Sequence, residues 1–371
     1  MNIPYIDLGR QHKPLKKKIL KEIGKVMDSG QFILGETVKN FEERFAEYCQ
    51  CKYAVGVNSG TDALFLSMKA LGIGPGDEVI TAPNSFIATA AAIAHTGAKA
   101  VFADVRDDMN IDPDEISKII TGKTKAIIPV HLTGRPAEMR EILRIARRHN
   151  IYVIEDAAQA VGAEYYGKRV GSFGMTGCFS MHPLKNLNAC GDGGVITTNN
   201  KRVRQLLLKL RNHGLRSRDE CDFWGYNSRL DEIQAVVLCA KLDQLHEWIR
   251  KRREIAAVYR KKLCDLVEVP RERAYEKSVY HTYIIRTANR NQLMKYLGDH
   301  GIETKIHYPF SIHLQRGDLH LNYQKGDFIN AERIGQEMVS LPVYQGLNAR
   351  QVAYICDTII RFFKERKKPR K

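Results

Sequence analysis

Between Tyr53 and Glu155 short apolar runs alternate with helical patterns, and this alternation constrains the fold more than any other feature of the chain. Tyr53–Val57, Glu78–Ala82, Ala100–Val105, Lys125–Val130 and Tyr152–Glu155 read as strands. Thr61–Leu71, Phe86–His95, Pro113–Ile120 and Ala137–His149 read as the helices between them, the third opening with proline in its first turn. Strands this apolar need cover on both faces, which predicts an α/β fold with a mainly parallel sheet flanked by helices. Such a sheet binds ligands at the carboxyl ends of its strands, so the residues just after each strand carry the information.

Those residues are chemically distinctive. Asn58-Ser59-Gly60-Thr61-Asp62 follows the first strand and opens a helix, where free N–H groups and the dipole form either a phosphate cradle or a plain N-cap. Phe86, after the second strand, could stack on a planar ring or join the core. Asp156 ends the fifth strand among alanines, and a buried carboxylate is costly unless paired, so packing alone explains it poorly. The GIGPGDE run is a turn before a strand; it does not link a strand to a helix as a dinucleotide fingerprint would.

The stretch Cys178–Gly194, CFSMHPLKNLNACGDGG, sets one lysine, Lys185, on a loop between two apolar strands. A lysine so placed can lose its solvation and act as a nucleophile. The Gly-Asp-Gly-Gly turn behind it lets the backbone pass close to a ligand. A phosphate cradle, a strand-end acid, a loop lysine and a ring-facing aromatic together fit pyridoxal 5'-phosphate. The lysine would form a Schiff base with the cofactor aldehyde, and the acid would keep the ring nitrogen protonated so that the ring accepts electrons.

Outside this region, residues 11–28 read as one amphipathic helix, a second helical segment begins at Phe41, and Leu230–Leu263 reads as one or two long helices. Strand-like Tyr280–Arg286 and a helix near 291–300 fit a smaller α/β unit. At 371 residues the chain can form two domains, which we place at 1–245 and 246–371.

Composition excludes several classes. No apolar run approaches the roughly 18 residues of a membrane span, and the start lacks the apolar core of a signal peptide, which points to the cytoplasm. Eight scattered cysteines read as reduced thiols. His300, His307, His313 and His320 have neither a helical nor a zinc-ligand spacing, so no metal site is expected. The net charge of +16 is spread over polar helix faces and the tail Lys364–Lys371, without a nucleic-acid motif or interleaved aromatics. A solvated surface with a frayed terminus is the reading preferred over nucleic acid, and such basicity also suits a small anionic substrate.

The sequence resembles the DegT/DnrJ/EryC1/StrS sugar aminotransferases, pyridoxal phosphate enzymes of fold type I. The likeness runs through IPYIDL, FILGETVKNFEERFAEYC, SGTDAL, GIGPGDEVI, EDAAQA, HPLKNLNACGDGG, GYNSRLDEIQA and YPFSIHLQ. It implies a large domain with a mainly parallel mixed sheet and a smaller C-terminal domain. It implies Lys185 as the Schiff-base lysine, Asp156 as the pyridinium partner and Gln159 at the cofactor's phenolic oxygen. Gly60, Thr61 and Ser180 match phosphate contacts, and Phe86 the position facing the ring. Asn227 resembles an asparagine that reaches the phosphate across a dimer interface, which implies a homodimer with shared active sites.

The family moves an amino group from L-glutamate to a keto group on a nucleotide-linked sugar, by a ping-pong route. Lys185 stands where dehydrating members carry histidine. The NSRLDE form resembles members acting on 3-keto sugars, and a dTDP-3-keto-6-deoxyhexose is the expected substrate, ahead of UDP- or GDP-linked 3- or 4-keto sugars. His182, where tyrosine is common in the 3-keto subgroup, and Met181 depart from that pattern. Arg229, Tyr308 and His313 lie in motifs near the family's sugar pocket. A regulatory or nucleic-acid-binding protein that keeps the fold without turnover is the alternative. Full-length protein is therefore expected to show no steeply salt-dependent affinity for duplex DNA, and deletion of Lys364–Lys371 to change nothing in a low-salt titration.

Overall fold

A computed structural model describes residues 1–367; the end of the basic tail, 368–371, lies outside the described residues. The chain folds around a seven-stranded sheet. Its first five strands are β1 (Tyr53–Val57), β2 (Glu78–Thr81), β3 (Lys99–Phe102), β4 (Thr124–Ile128) and β5 (Tyr152–Asp156). A short hairpin, β6 (Glu164–Tyr165) and β7 (Lys168–Arg169), leads to β8 (Thr176–Ser180) and β9 (Gly194–Thr198). The spatial order is β1-β9-β8-β5-β4-β2-β3. Pairing is parallel from β8 across to β3, whereas β9 runs antiparallel to both β8 and β1.

That one reversal matters for the site. Because β9 runs backwards, its first residue lies at the rim where the other strands end. The 181–193 segment joining β8 to β9 therefore stays on that rim. Two further strands, β11 (Tyr283–Arg286) and β12 (Met338–Leu341), pair antiparallel in a separate sheet, after β10 (Glu276–Lys277) has joined β6.

The long apolar pattern after Leu230 is one continuous helix, Glu232–Leu263, of 32 residues. Its first half buries Leu238, Leu242 and Leu245 with the Phe41–Phe45 cluster. Its second half buries Ile255, Tyr259 and Leu263 with residues of β11 and β12. Ile3 also enters this second cluster, bridging to Ile302. The single helix expected over 11–28 is instead two, Leu8–His12 and Lys16–Ser29. Pro14 explains the break: it has no N–H to give, and its ring crowds the preceding turn.

Neighbouring residues of a strand point to opposite faces, so Glu155 and Asp156 have separate roles. Glu155 is fully buried and accepts from the N–H groups of Gly171 (2.7 Å), Phe173 (2.7 Å) and Gly174 (2.8 Å). His131 completes the shell: its Nδ1 accepts from Ala137 N–H (3.0 Å), leaving Nε2 to donate to Glu155 (3.0 Å). Glu155→Gln would set an NH2 group against these donors. We expect a loss of about 3 kcal/mol or more in urea denaturation, because buried N–H groups would be left unpaired.

Candidate active site

The strand ends converge on a cavity of about 380 Å³. At its floor Asp156 is 4% exposed. Its carboxylate accepts from Thr89 Oγ1 (2.8 Å) and from Ala158 N–H (3.1 Å). Ser85 in turn donates to Thr89 Oγ1 (2.9 Å), since the threonine proton is already given to the carboxylate. Burial raises the Asp156 carboxyl above its usual range, opposed by those hydrogen bonds and by the charge of Lys185.

Lys185 reaches the cavity through a tight turn. Its N–H donates to His182 O (2.9 Å) with Pro183 at the second position, where a fixed φ favours the turn. Ala189 N–H closes the loop on Met181 O (2.7 Å). Among the described residues none accepts a hydrogen bond from the Lys185 amine. Burial pushes that amine down to about 8, with Asp156 pulling in the other direction. A lysine so tuned is partly uncharged near neutrality and can act as a nucleophile.

Beside this pair the helix Gly60–Ala70 points its N-terminus into the cavity. Ser59 caps it by accepting from Asp62 N–H (3.0 Å), while the first helical N–H groups lack an intrahelical partner. The rim here is packed so closely that only glycine fits. A Cβ on Gly60 would lie 2.6 Å from Ser180 Cβ, and one on Gly194 would lie 2.1 Å from Ser59 O. The result is a concave surface of N–H groups and the Ser180 hydroxyl, suited to an anion.

Gln159 also lies at the wall, its Oε1 accepting from Thr133 N–H (2.8 Å) and its Nε2 donating to Tyr308 OH (3.3 Å). Phe86 is 52% exposed at the mouth, its ring 5.6 Å from that of Tyr308. His182 lines the same cavity.

Thus Asp156, Lys185, Gly60, Thr61, Ser180, Gln159, Phe86, His182 and Tyr308 are brought together. Three residues are not. Asn227 is exposed and bridges to Asn212 away from the cavity. Arg229 donates to Asn212 Oδ1 (3.1 Å). His313 is buried against Phe328 and bonds Glu332 (3.1 Å). Between Asn227 and Arg229, Ser228 accepts from Asn58 N–H (3.2 Å) and donates to Asp62 (2.6 Å), while His313 lies buried on a short helical turn, and none of the three lines this chain's own cavity.

The sequence reading missed Thr89, Arg252, His281 and His307, all of them at the cavity wall. For Thr89 a signal existed, a hydroxyl in the first turn of the helix behind a strand end. His307 directly precedes Tyr308, itself a predicted pocket residue, whereas Arg252 and His281 lie far along the chain and had no such signal. His307 is pushed down to about 4 by burial and the charges of Lys185 and Lys305. His281 is depressed by burial, then by Lys185 and Arg252. Both imidazoles are therefore neutral at neutral pH.

The residues present fit a phosphorylated pyridine aldehyde. There is a cradle that a Cβ would fill, a buried carboxylate facing a cation position, and a desolvated amine. Thr282 Oγ1 at the wall is buried without a hydrogen-bond partner among the described residues.

The chain matches the model of the DegT/DnrJ/EryC1/StrS aminotransferase family over residues 13–360. It belongs to that family. A pleiotropic regulatory protein of Geobacillus stearothermophilus is 43% identical over 98% of this chain and 99% of its own. A dTDP-3-amino-3,4,6-trideoxy-alpha-D-glucose transaminase of Streptomyces venezuelae is 38% identical over 96% of this chain and 95% of its own. Among solved structures, S. venezuelae DesV in complex with a ketimine intermediate superimposes with a TM-score of 0.96, at 38% identity, covering 99% of this chain and 100% of that one. This aminotransferase thus has the α/β architecture with a mainly parallel sheet expected from its strand pattern, and the fold type I arrangement that the family resemblance implies. Among the described residues no helix is long and apolar enough to cross a membrane.

In ligand-free protein, modification of Lys185 by an amine-selective reagent should rise with pH to a midpoint near 8. A solvated lysine would give about 10.4. Asp156→Asn removes the charge that holds the proton on Lys185, so the midpoint should move lower still, read by mass spectrometry of the labelled peptide.

Proposed function

We propose that the protein is a pyridoxal phosphate-dependent transaminase that moves an amino group from L-glutamate to the 3-keto group of a nucleotide-linked sugar. The observation that carries this is the buried Asp156–Lys185 pair opposite a helix N-terminus at one cavity. Pyridoxal phosphate, when bound, supplies an aldehyde for amines and a ring that accepts electrons from the substrate carbon. Asp156 would keep the ring nitrogen protonated, and Thr89 and Ala158 hold that carboxylate in place. Gly60, Thr61 and Ser180 would hold the phosphate, Phe86 would cover the ring, and Gln159 would meet the phenolic oxygen. Lys185 would carry the cofactor and, once free, move a proton at the substrate carbon, a contribution of about 10²–10⁴-fold.

The net reaction balances as glutamate plus keto sugar giving 2-oxoglutarate plus amino sugar. A dTDP-linked 3-keto-6-deoxyhexose is the substrate we favour, supported by the S. venezuelae transaminase's name; UDP- and GDP-linked sugars are the other arms of the test. His182 and Tyr308 would contact the sugar. Asn227 and Arg229 do not line their own cavity, so we assign them to the neighbouring subunit's site in a homodimer. We assign no substrate role to His313, which is enclosed with Glu332. The two-domain division near residue 245 and a cytoplasmic location complete the proposal.

The regulatory name of the Geobacillus relative favours a second reading, a fold kept for regulation. The retained lysine, acid and glutamine speak for turnover instead. Purified protein should be yellow, and borohydride should fix a phosphopyridoxyl group on Lys185. With glutamate it should aminate a dTDP-3-keto sugar, detected by mass spectrometry against UDP- and GDP-linked substrates. An adduct on another lysine would sink the mechanism. Asp156→Asn should still bind cofactor but lose about 100-fold or more in kcat, because the ring nitrogen loses its charge partner.

A further inference from the structure

The long helix Glu232–Leu263 holds a buried lysine that the proposed mechanism does not use. Lys241 is fully buried, and no carboxylate pairs with it among the described residues. An unpaired buried ammonium is costly, so its partners must compensate. Its amine donates to Asn188 O (2.8 Å), to Asn188 Oδ1, and to His12 Nε2 (2.7 Å). Asn188 passes the contact on: its Nδ2 donates to the carbonyl of Lys185 (2.8 Å) and to Gln11 Oε1 (3.2 Å).

Lys241 does not stand alone on the helix. Gln234 and Arg252 lie seven residues before and eleven after it, close to whole numbers of turns, so all three share one face. Gln234 accepts from Cys190 N–H (2.8 Å) and donates to Cys190 O (3.4 Å). Arg252 donates to the carbonyls of Tyr280 (3.1 Å), His281 (3.3 Å) and Val343 (2.6 Å). One rigid helix face thus grips the lysine loop at two points and the opposite cavity wall at a third. The loop between β8 and β9 holds no helix or strand, only the turn at Lys185 and the Ala189–Met181 contact, so the helix face supplies its support from outside.

We propose that Lys241 is a positioning residue for Lys185: through Asn188 it fixes the backbone of the lysine loop and so sets the direction in which the Lys185 amine enters the cavity. This rests on Lys185 being the covalent anchor of the proposed reaction. Burial pushes the Lys241 amine down to about 8, and its neighbour His12 is lowered by burial and by that same lysine. The lysine–histidine contact therefore shares one proton set, with His12 accepting.

The test compares wild-type holoenzyme with Lys241→Met and Asn188→Ala by three measurements: thermal melting, the yield of borohydride-fixed cofactor on Lys185, and separate kcat and KM values. Both variants should lose about tenfold or more in kcat and severalfold in adduct yield, since a misplacement near 1 Å is that costly. KM for the sugar nucleotide should stay within about twofold, because the lost interaction aligns the reacting group and does not bind substrate. The double variant should be no worse than Lys241→Met, because the two act through one chain of contacts. If Lys241→Met does not fold, Asn188→Ala, which leaves Lys241 two acceptors, decides by the same measurements. A folded variant with wild-type kcat and adduct yield overturns the positioning role alone. Absence of any Lys185 adduct in the wild type overturns the covalent anchor and the positioning role with it.

Discussion

A carboxylate and an amine, both withdrawn from water, face one cavity from two adjacent strand ends. Burial pushes the Asp156 carboxyl up and the Lys185 amine down, while each charge pulls the other back. Neither group is left as an ordinary surface charge. Much of the surrounding structure serves this balance. Thr89 and Ala158 keep Asp156 able to ionise, and neutral His281 and His307 line the wall without adding positive charge beside the lysine.

The scaffold supplies the closeness that the pair requires. Parallel pairing aligns the ends of β5 and β8, and the reversed β9 returns the lysine loop to the same rim. Glycines at 60 and 194 let the start of the Gly60–Ala70 helix touch Ser180 and β9, where any side chain would collide with backbone or with Ser180. Glu155, one residue before Asp156 and on the other face, anchors the 171–174 loop so that β8 starts in register. The long helix then ties the lysine loop to the opposite wall.

Family membership and geometry converge from independent sides. The chain is similar along nearly its full length to a transaminase of 3-amino sugars and to a protein named for regulation. The cavity of this chain keeps the acid, the amine, the cradle and the glutamine together, and chemistry that costs burial energy is hard to reconcile with a purely structural role.

Local pattern determined a good deal by itself. Apolar alternation placed β1, β2, β4 and β5 within a residue or two, because a doubly covered strand must be apolar and a turn must follow it. Asp156 and Lys185 were legible because an acid among alanines at a strand end and a lysine before a glycine-rich turn are poor packing choices. Pro14 was the local signal that the periodicity of residues 11–28 obscured. Tertiary structure alone decided the rest. That β9 runs antiparallel depends on long-range pairing, and periodicity is blind to strand direction. Arg252, His281 and His307 join the cavity from more than sixty residues beyond Lys185, and Lys241 meets Asn188 only when the helix packs on the loop. Asn227, Arg229 and His313 carry the right residue types, yet the chain path takes them away from their own cavity. Chemistry is written locally, but which groups share one solvent-poor space is settled by packing between distant segments.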